Sequence, residues 1–154
     1  MRIIAHRGNI NGPNRKEENT KKAIDRALNH GYDVEIDVWA KGSKYFLGHD
    51  NPMTLIDLNW INQRKKKLWI HTKNSFAFEN LLSLNQDFMF FYYCKDLLVL
   101  TSNGFIWTHS PENIIYPEKC IIPLIGMQKI PDKYNRNWYG ACTDYPIALS
   151  KQHA

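Results

Sequence analysis

The segment Asp33-Val34-Glu35-Ile36-Asp37-Val38 alternates acidic and β-branched residues without a break. A period of two belongs to a β-strand, so Val34, Ile36 and Val38 share one face while Glu35 and Asp37 share the other. What precedes it narrows the fold further. Asn19 or Thr20 is placed to cap a helix running to about Asn29, with Ala23, Ile24, Ala27 and Leu28 as its buried stripe. Gly31 stands where a C-cap glycine belongs. Before the helix, Ile3 to Ala5 read as a short apolar strand ending at His6-Arg7-Gly8, and Asn9 to Lys16, rich in Asn, Gly and Pro, as a loop. Strand, helix, strand in that order predicts parallel pairing and an α/β class.

Downstream, Lys41-Gly42-Ser43-Lys44 reads as a turn, followed by Tyr45-Phe46-Leu47 and Gly48-His49-Asp50, and Pro52 to Asn62 as loop plus short helix. Leu68 to Lys73 is a third strand, with Leu68, Ile70 and Thr72 on one face and Trp69, His71 and Lys73 on the other. A helix from about Phe76 to Leu84 and a strand over Phe88 to Tyr93 follow. Phe105 to His109, Ile121 to Ile125 and Trp138 to Thr143 then read as strands, with little room between them for helices. A chain of 154 residues suits one domain spanning residues 1–154.

Composition bounds the function. Apolar residues at 44% and aromatics at 13% argue against disorder. The net charge of +5 suits an anionic ligand. The densest basic run, Arg64-Lys65-Lys66-Lys67, reads as a solvated turn. No zinc-finger, RRM or recognition-helix pattern accompanies it, so a nucleic-acid partner is not expected. Cys94, Cys120 and Cys142 are odd in number and widely spaced, which argues against a disulfide scaffold and a thiolate zinc site. No leader precedes the first strand, and no apolar run approaches the roughly 18 residues of a membrane span. A cytoplasmic location is the expectation.

Chemistry concentrates at strand ends. The first strand ends in His6-Arg7, the second carries Glu35 and Asp37, and His49 lies just beyond the next. In parallel α/β folds, sites collect where strands end. Two carboxylates on one strand face repel each other in an apolar surrounding, and a divalent cation such as Mg²⁺, Ca²⁺ or Mn²⁺ cancels that repulsion. The string His6-Arg7-Gly8, Glu18-Asn19-Thr20, Ala23, Leu28, Gly31, Glu35-Ile36-Asp37-Val38 and His49-Asp50 resembles the glycerophosphodiester phosphodiesterase family over roughly the first 50 residues. Gly140 to Pro146, with Thr143-Asp144, is similar to that family's last barrel strand.

The resemblance implies a TIM-type barrel that hydrolyses a small phosphodiester with divalent-metal help. It implies Glu35 and Asp37 as metal ligands, His6 and His49 as the acid/base pair, and Arg7 and Lys73 as groups facing the phosphate. Two departures stand out. His71 occupies the place of the family's third acidic ligand, and is either a ligand itself or a bystander. The length is also short of the 200 or more residues usual for a TIM barrel. The expectation is therefore a reduced TIM-type (βα) barrel with few helices in its second half. Glu18 and Asn19 are read as shaping the loop and helix start. Trp107 and His109, on one face of a late strand, are placed to line a pocket. The competing reading is a degenerate barrel that binds phosphate-bearing ligands without turnover. Retention of both histidines beside both carboxylates speaks against it, because binding alone does not require two proton-transfer groups.

Overall fold

The computed structural model describes residues 1–84, 86–93, 95–134 and 137–152, so Cys94 lies outside the described residues. In chain order the elements are β1 (Arg2–His6), α1 (Lys21–Asn29), β2 (Asp33–Lys41), β3 (Lys44–Leu47), β4 (Thr54–Ile56), α2 (Leu58–Asn62), β5 (Leu68–Thr72) and α3 (Ser75–Ser83). Then come β6 (Met89–Tyr92), β7 (Leu98–Leu100), β8 (Ile106–Thr108), β9 (Cys120–Leu124), β10 (Gly140–Thr143) and α4 (Pro146–Gln152). Beyond residue 95, α4 is the one α-helix among the described residues, and short 3-10 turns fill the gaps between β8 and β10.

The fold is mixed α/β around a ten-stranded sheet. Strands β6, β5, β2, β1, β10, β9 and β8 lie side by side in that order, all parallel. The far half of β2 leaves this layer and pairs antiparallel with β3, which pairs in turn with β4. Strand β7 pairs antiparallel with β8. Of the expected reduced barrel, the sparse helices of the second half are found among the described residues, and the parallel strands run in one continuous order. Among the described residues no ladder joins β6 to β7 or β8. Ser102 spans that gap: its N–H donates to the Phe90 carbonyl at 2.8 Å, and its Oγ accepts from the Phe90 N–H at 2.9 Å and donates to the Phe88 carbonyl at 2.8 Å.

The alternation in β2 sorts the two sides of the sheet. Val34, Ile36 and Val38 join Ile24, Ala27, Leu68, Ile70, Ala77 and Leu81 in the layer between the sheet and helices α1 and α3. Each large apolar side chain buried there contributes about 1.5–3 kcal/mol. On the opposite side, Ile4, Trp69, Phe91, Trp107, Ile121 and Cys142 form a second core. Trp69 closes its lower end, where its indole N–H and an Arg2 N–H both donate to Asp33 Oδ2, at 3.1 and 2.8 Å. Thr20 caps α1 by accepting from the Ala23 N–H at 3.2 Å, and Asn74 caps α3 in the same way from Ala77. Strands β4 and β7 were not legible in the sequence. No helix among the described residues is long and apolar enough to cross a membrane.

Candidate active site

Register brings the site together. His6 is level with Glu35 across β1 and β2, and Asp37 with His71 across β2 and β5. Side chains at paired positions point to the same side of a sheet, so His6, Glu35, Asp37 and His71 meet above the second core. Lys73, one residue past β5, adds its ammonium at the same level: Nζ lies 3.3 Å from Asp37 Oδ1. His71 Nδ1 is 3.1 Å from Asp37 Oδ1 and 3.8 Å from Glu35 Oε1.

Arg7 follows β1 with a positive φ of 52°, and this turn directs its N–H to the Glu35 carbonyl at 2.9 Å and to Glu35 Oε2 at 3.2 Å. Its guanidinium reaches Asp37 Oδ2 at 3.1 Å and donates to Glu18 Oε2 at 3.0 Å. Asn19 grips Asp37 twice, donating to Oδ2 and accepting from the backbone N–H, both at 2.9 Å. Glu18 and Asn19 therefore hold charged site residues directly, beyond shaping the helix start.

Each of the two candidate proton-transfer histidines is held at Nδ1 by a carboxylate. His6 Nδ1 is 2.7 Å from Asp144 Oδ1, and His49 Nδ1 is 2.7 Å from Asp50 Oδ1. An ionised carboxylate keeps the proton on Nδ1 and leaves Nε2 free to exchange one. His6 Nε2 lies 4.0 Å from Glu35 Oε2. Asp144 also accepts from Asn9 Nδ2 at 2.9 Å and from the Gly126 N–H at 3.0 Å. His49 is set by its neighbour Gly48, whose N–H donates to the Asp37 carbonyl at 3.2 Å. With φ at 150°, a side chain on residue 48 would run into the Asn51 carbonyl, so only glycine carries the chain round this corner.

These groups border a cavity of about 400 Å³. His6, Arg7, Glu35, His49, His71 and Lys73 line one side, with Asp37 beneath them. From His71 an aromatic wall continues. His71, Phe91 and Trp107 stack in sequence, with ring centroids 5.1 and 4.6 Å apart, and Tyr93 and His109 continue that wall.

The electrostatics separate the two central carboxylates. Burial and the neighbouring Asp37 charge raise the Glu35 pKa above the ordinary carboxylate value. Asp37 is buried too, but His71, Lys73 and Arg7 outweigh the burial and hold it well below that value. Burial opposes charge on both His6 and Asp144, yet their hydrogen bond prevails, raising the histidine and lowering the acid.

The donor set fits a cation. Among the described residues, Glu35, Asp37 and His71 each offer one ligand atom, and these atoms lie within 4.8 Å of one another. Asp37 Oδ1 is buried and accepts no aligned hydrogen bond, although His71 Nδ1 and Lys73 Nζ lie 3.1 and 3.3 Å away. An orphaned buried carboxylate oxygen is costly unless something coordinates it. The sequence pattern exposed the two carboxylates, His71 and Lys73. It did not assign Asp144 a role, although Thr143-Asp144 belongs to the segment similar to the family's last barrel strand.

No family model matches the sequence, and no curated protein matches it. Among solved structures, the fold is similar to a glycerophosphodiester phosphodiesterase from Agrobacterium tumefaciens, at 15% identity and a TM-score of 0.56. The similarity covers 99% of this chain and 98% of that one. The resemblance legible in the first 50 residues is thus, at the level of fold, a likeness over the whole chain.

Proposed function

We propose that residues 1–154 form one domain that hydrolyses a phosphodiester, glycerophosphodiester-like or a related lipid head group, with a divalent cation. The observation that carries this is the gathering of His6, Arg7, Glu35, His49, His71 and Lys73 round one cavity above the unbonded Asp37 Oδ1. The fold likeness to a glycerophosphodiester phosphodiesterase supports the reaction class. Glu35, Asp37 and His71 would hold Mg²⁺, Ca²⁺ or Mn²⁺, which supplies positive charge to the non-bridging phosphate oxygens when bound. Arg7 and Lys73 orient the phosphate and neutralise its remaining charge as the attacking oxygen approaches. One histidine takes the proton of the attacking hydroxyl at Nε2, and the other gives its Nε2 proton to the departing alcohol.

Turnover of a panel of phosphodiesters with Mg²⁺, Ca²⁺, Mn²⁺ or chelator tests this. His6→Ala and His49→Ala should each lose about 10²- to 10⁴-fold in rate with smaller changes in binding. His71→Ala should need more metal and be partly rescued by it, whereas His71→Glu should favour the oxygen-seeking ions. Full activity in excess chelator, or near-wild-type rates for both His6→Ala and His49→Ala, would overturn the mechanism. The second of these results would favour binding without turnover.

A further inference from the structure

A second hollow of about 410 Å³ adjoins the cavity and shares two of its walls, Arg7 and His49. A molecule whose phosphodiester sits at those two residues therefore has two directions in which its alcohols extend. One leads to the aromatic wall of Phe91, Tyr93 and Trp107. The other leads into this second hollow, past Arg15 and Lys16.

The charges here do not cancel. Of the two acids in the hollow, Glu18 is bonded to Arg7 at 3.0 Å and Asp50 to His49 at 2.7 Å. Among the described residues, no carboxylate pairs with Arg15 or Lys16. Arg7, Arg15 and Lys16 against Glu18 and Asp50 leave the hollow one positive charge in excess, with Arg15 and Lys16 exposed beside the site proposed to take the phosphodiester. The loop bearing them is tied down. The Asn14 carbonyl accepts from the Glu17 and Glu18 N–H groups, both at 2.9 Å, and Asn14 Oδ1 accepts from the Lys16 N–H at 3.2 Å. Asn9 joins it to the active site, accepting from the Asn14 N–H at 3.3 Å while donating to Asp144. This anchorage fixes the backbone positions from which the Arg15 and Lys16 side chains extend, so less backbone entropy is lost when they bind.

We propose that Arg15 and Lys16 form a subsite for a second anionic group, a phosphate monoester or carboxylate, on one alcohol of the substrate. This rests on the phosphodiesterase reading for the placement of the first phosphate. The preferred substrates are then phosphodiesters with an acidic head group, and those with a neutral head group bind less well.

Calorimetry with glycerol 3-phosphate and glycerol 1,3-bisphosphate in fixed excess Mg²⁺ tests it, on wild type and on Arg15→Ala/Lys16→Ala. Wild type should bind the bisphosphate about tenfold more tightly. The double variant should lose that preference and keep its affinity for glycerol 3-phosphate. A preference that survives in the double variant overturns the subsite, and so does an equal weakening of both ligands, which would mean general attraction. Phosphatidylglycerol vesicles distinguish a lipid surface as the source of the anion. Vesicle binding lost in the double variant, with the bisphosphate preference intact, also overturns the subsite. A bisphosphate preference in a wild type that hydrolyses no diester supports the subsite and removes the catalytic reading alone.

Discussion

Asp144 decides what His6 can do. Its carboxylate accepts from His6 Nδ1, Asn9 Nδ2 and the Gly126 N–H, three donors converging on one buried group. Asp144→Asn keeps the shape but replaces one oxygen with a donor, so at least one of those contacts becomes donor against donor. On the proposed mechanism, turnover should fall by about 10²-fold or more with little change in KM, because the His6 ring is no longer fixed. Stability should respond to pH in a defined window. The lowered Asp144 pKa contributes stability above the ordinary Asp value near 3.9, lost as pH falls; the raised His6 pKa contributes it below about 6.5, lost as pH rises. The melting-temperature gap between wild type and variant, measured in chelator, should therefore peak between about pH 4 and 6.5. A flat gap would separate His6 from Asp144. Residues placed by strand period were legible in the sequence, since Glu35, Asp37, His71 and Lys73 follow from counting. The pairing of Asp144 with His6 was not, because the two are 138 positions apart. Nor was the Asn19 grip on Asp37, which depends on a positive φ of 54° that no pattern announces.

Among the elements, the first half was readable because its strands are long enough to show alternation and its helices carry capping residues. Strands β4 and β7 have three residues each, too few to show alternation, whereas β8, equally short, stands out through the apolar run Phe105-Ile106-Trp107. Among the described residues of the second half, covering helices are scarce, Leu97, Leu98 and Leu100 stand exposed, and no ladder joins β6 to β7. Ser102 takes over the missing hydrogen bonds, pairing with Phe88 and Phe90 through both backbone and side chain. Ser102→Ala leaves the Phe90 N–H without its partner and should cost about 1–3 kcal/mol. Hydrogen exchange should locate the loss: the Phe90 amide should exchange faster, while β1 and β2 amides keep their protection relative to global stability. Faster exchange spread evenly over the sheet would show that Ser102 does not hold this seam.

At the scale of the whole molecule, the buried Glu35 charge beside Asp37 opposes folding, and on the proposed function a cation relieves it. Glu35 is buried beside Asp37, and its raised pKa means that the folded chain holds this proton more tightly than the unfolded chain does. Metal-free stability should therefore decline as pH rises above the ordinary Glu value near 4.3. Glu35→Gln removes that charge and retains an oxygen to accept from the Arg7 N–H. In chelator the variant should melt at or above the wild-type temperature, with the advantage growing as pH rises. Added Mn²⁺ or Mg²⁺ should reverse the order. At a hundred times its dissociation constant, a ligand specific to the folded state adds about 2.7 kcal/mol, or about 5–10 °C for a chain of this length. Wild type should show that rise, and Glu35→Gln should lose most of it because one of the three proposed ligands has lost its charge. Melting curves for both proteins, with and without metal and at several pH values, make the test independent of any substrate. A variant that melts lower than wild type in chelator yet responds fully to metal would remove Glu35 from the cation site and make it a structural acid.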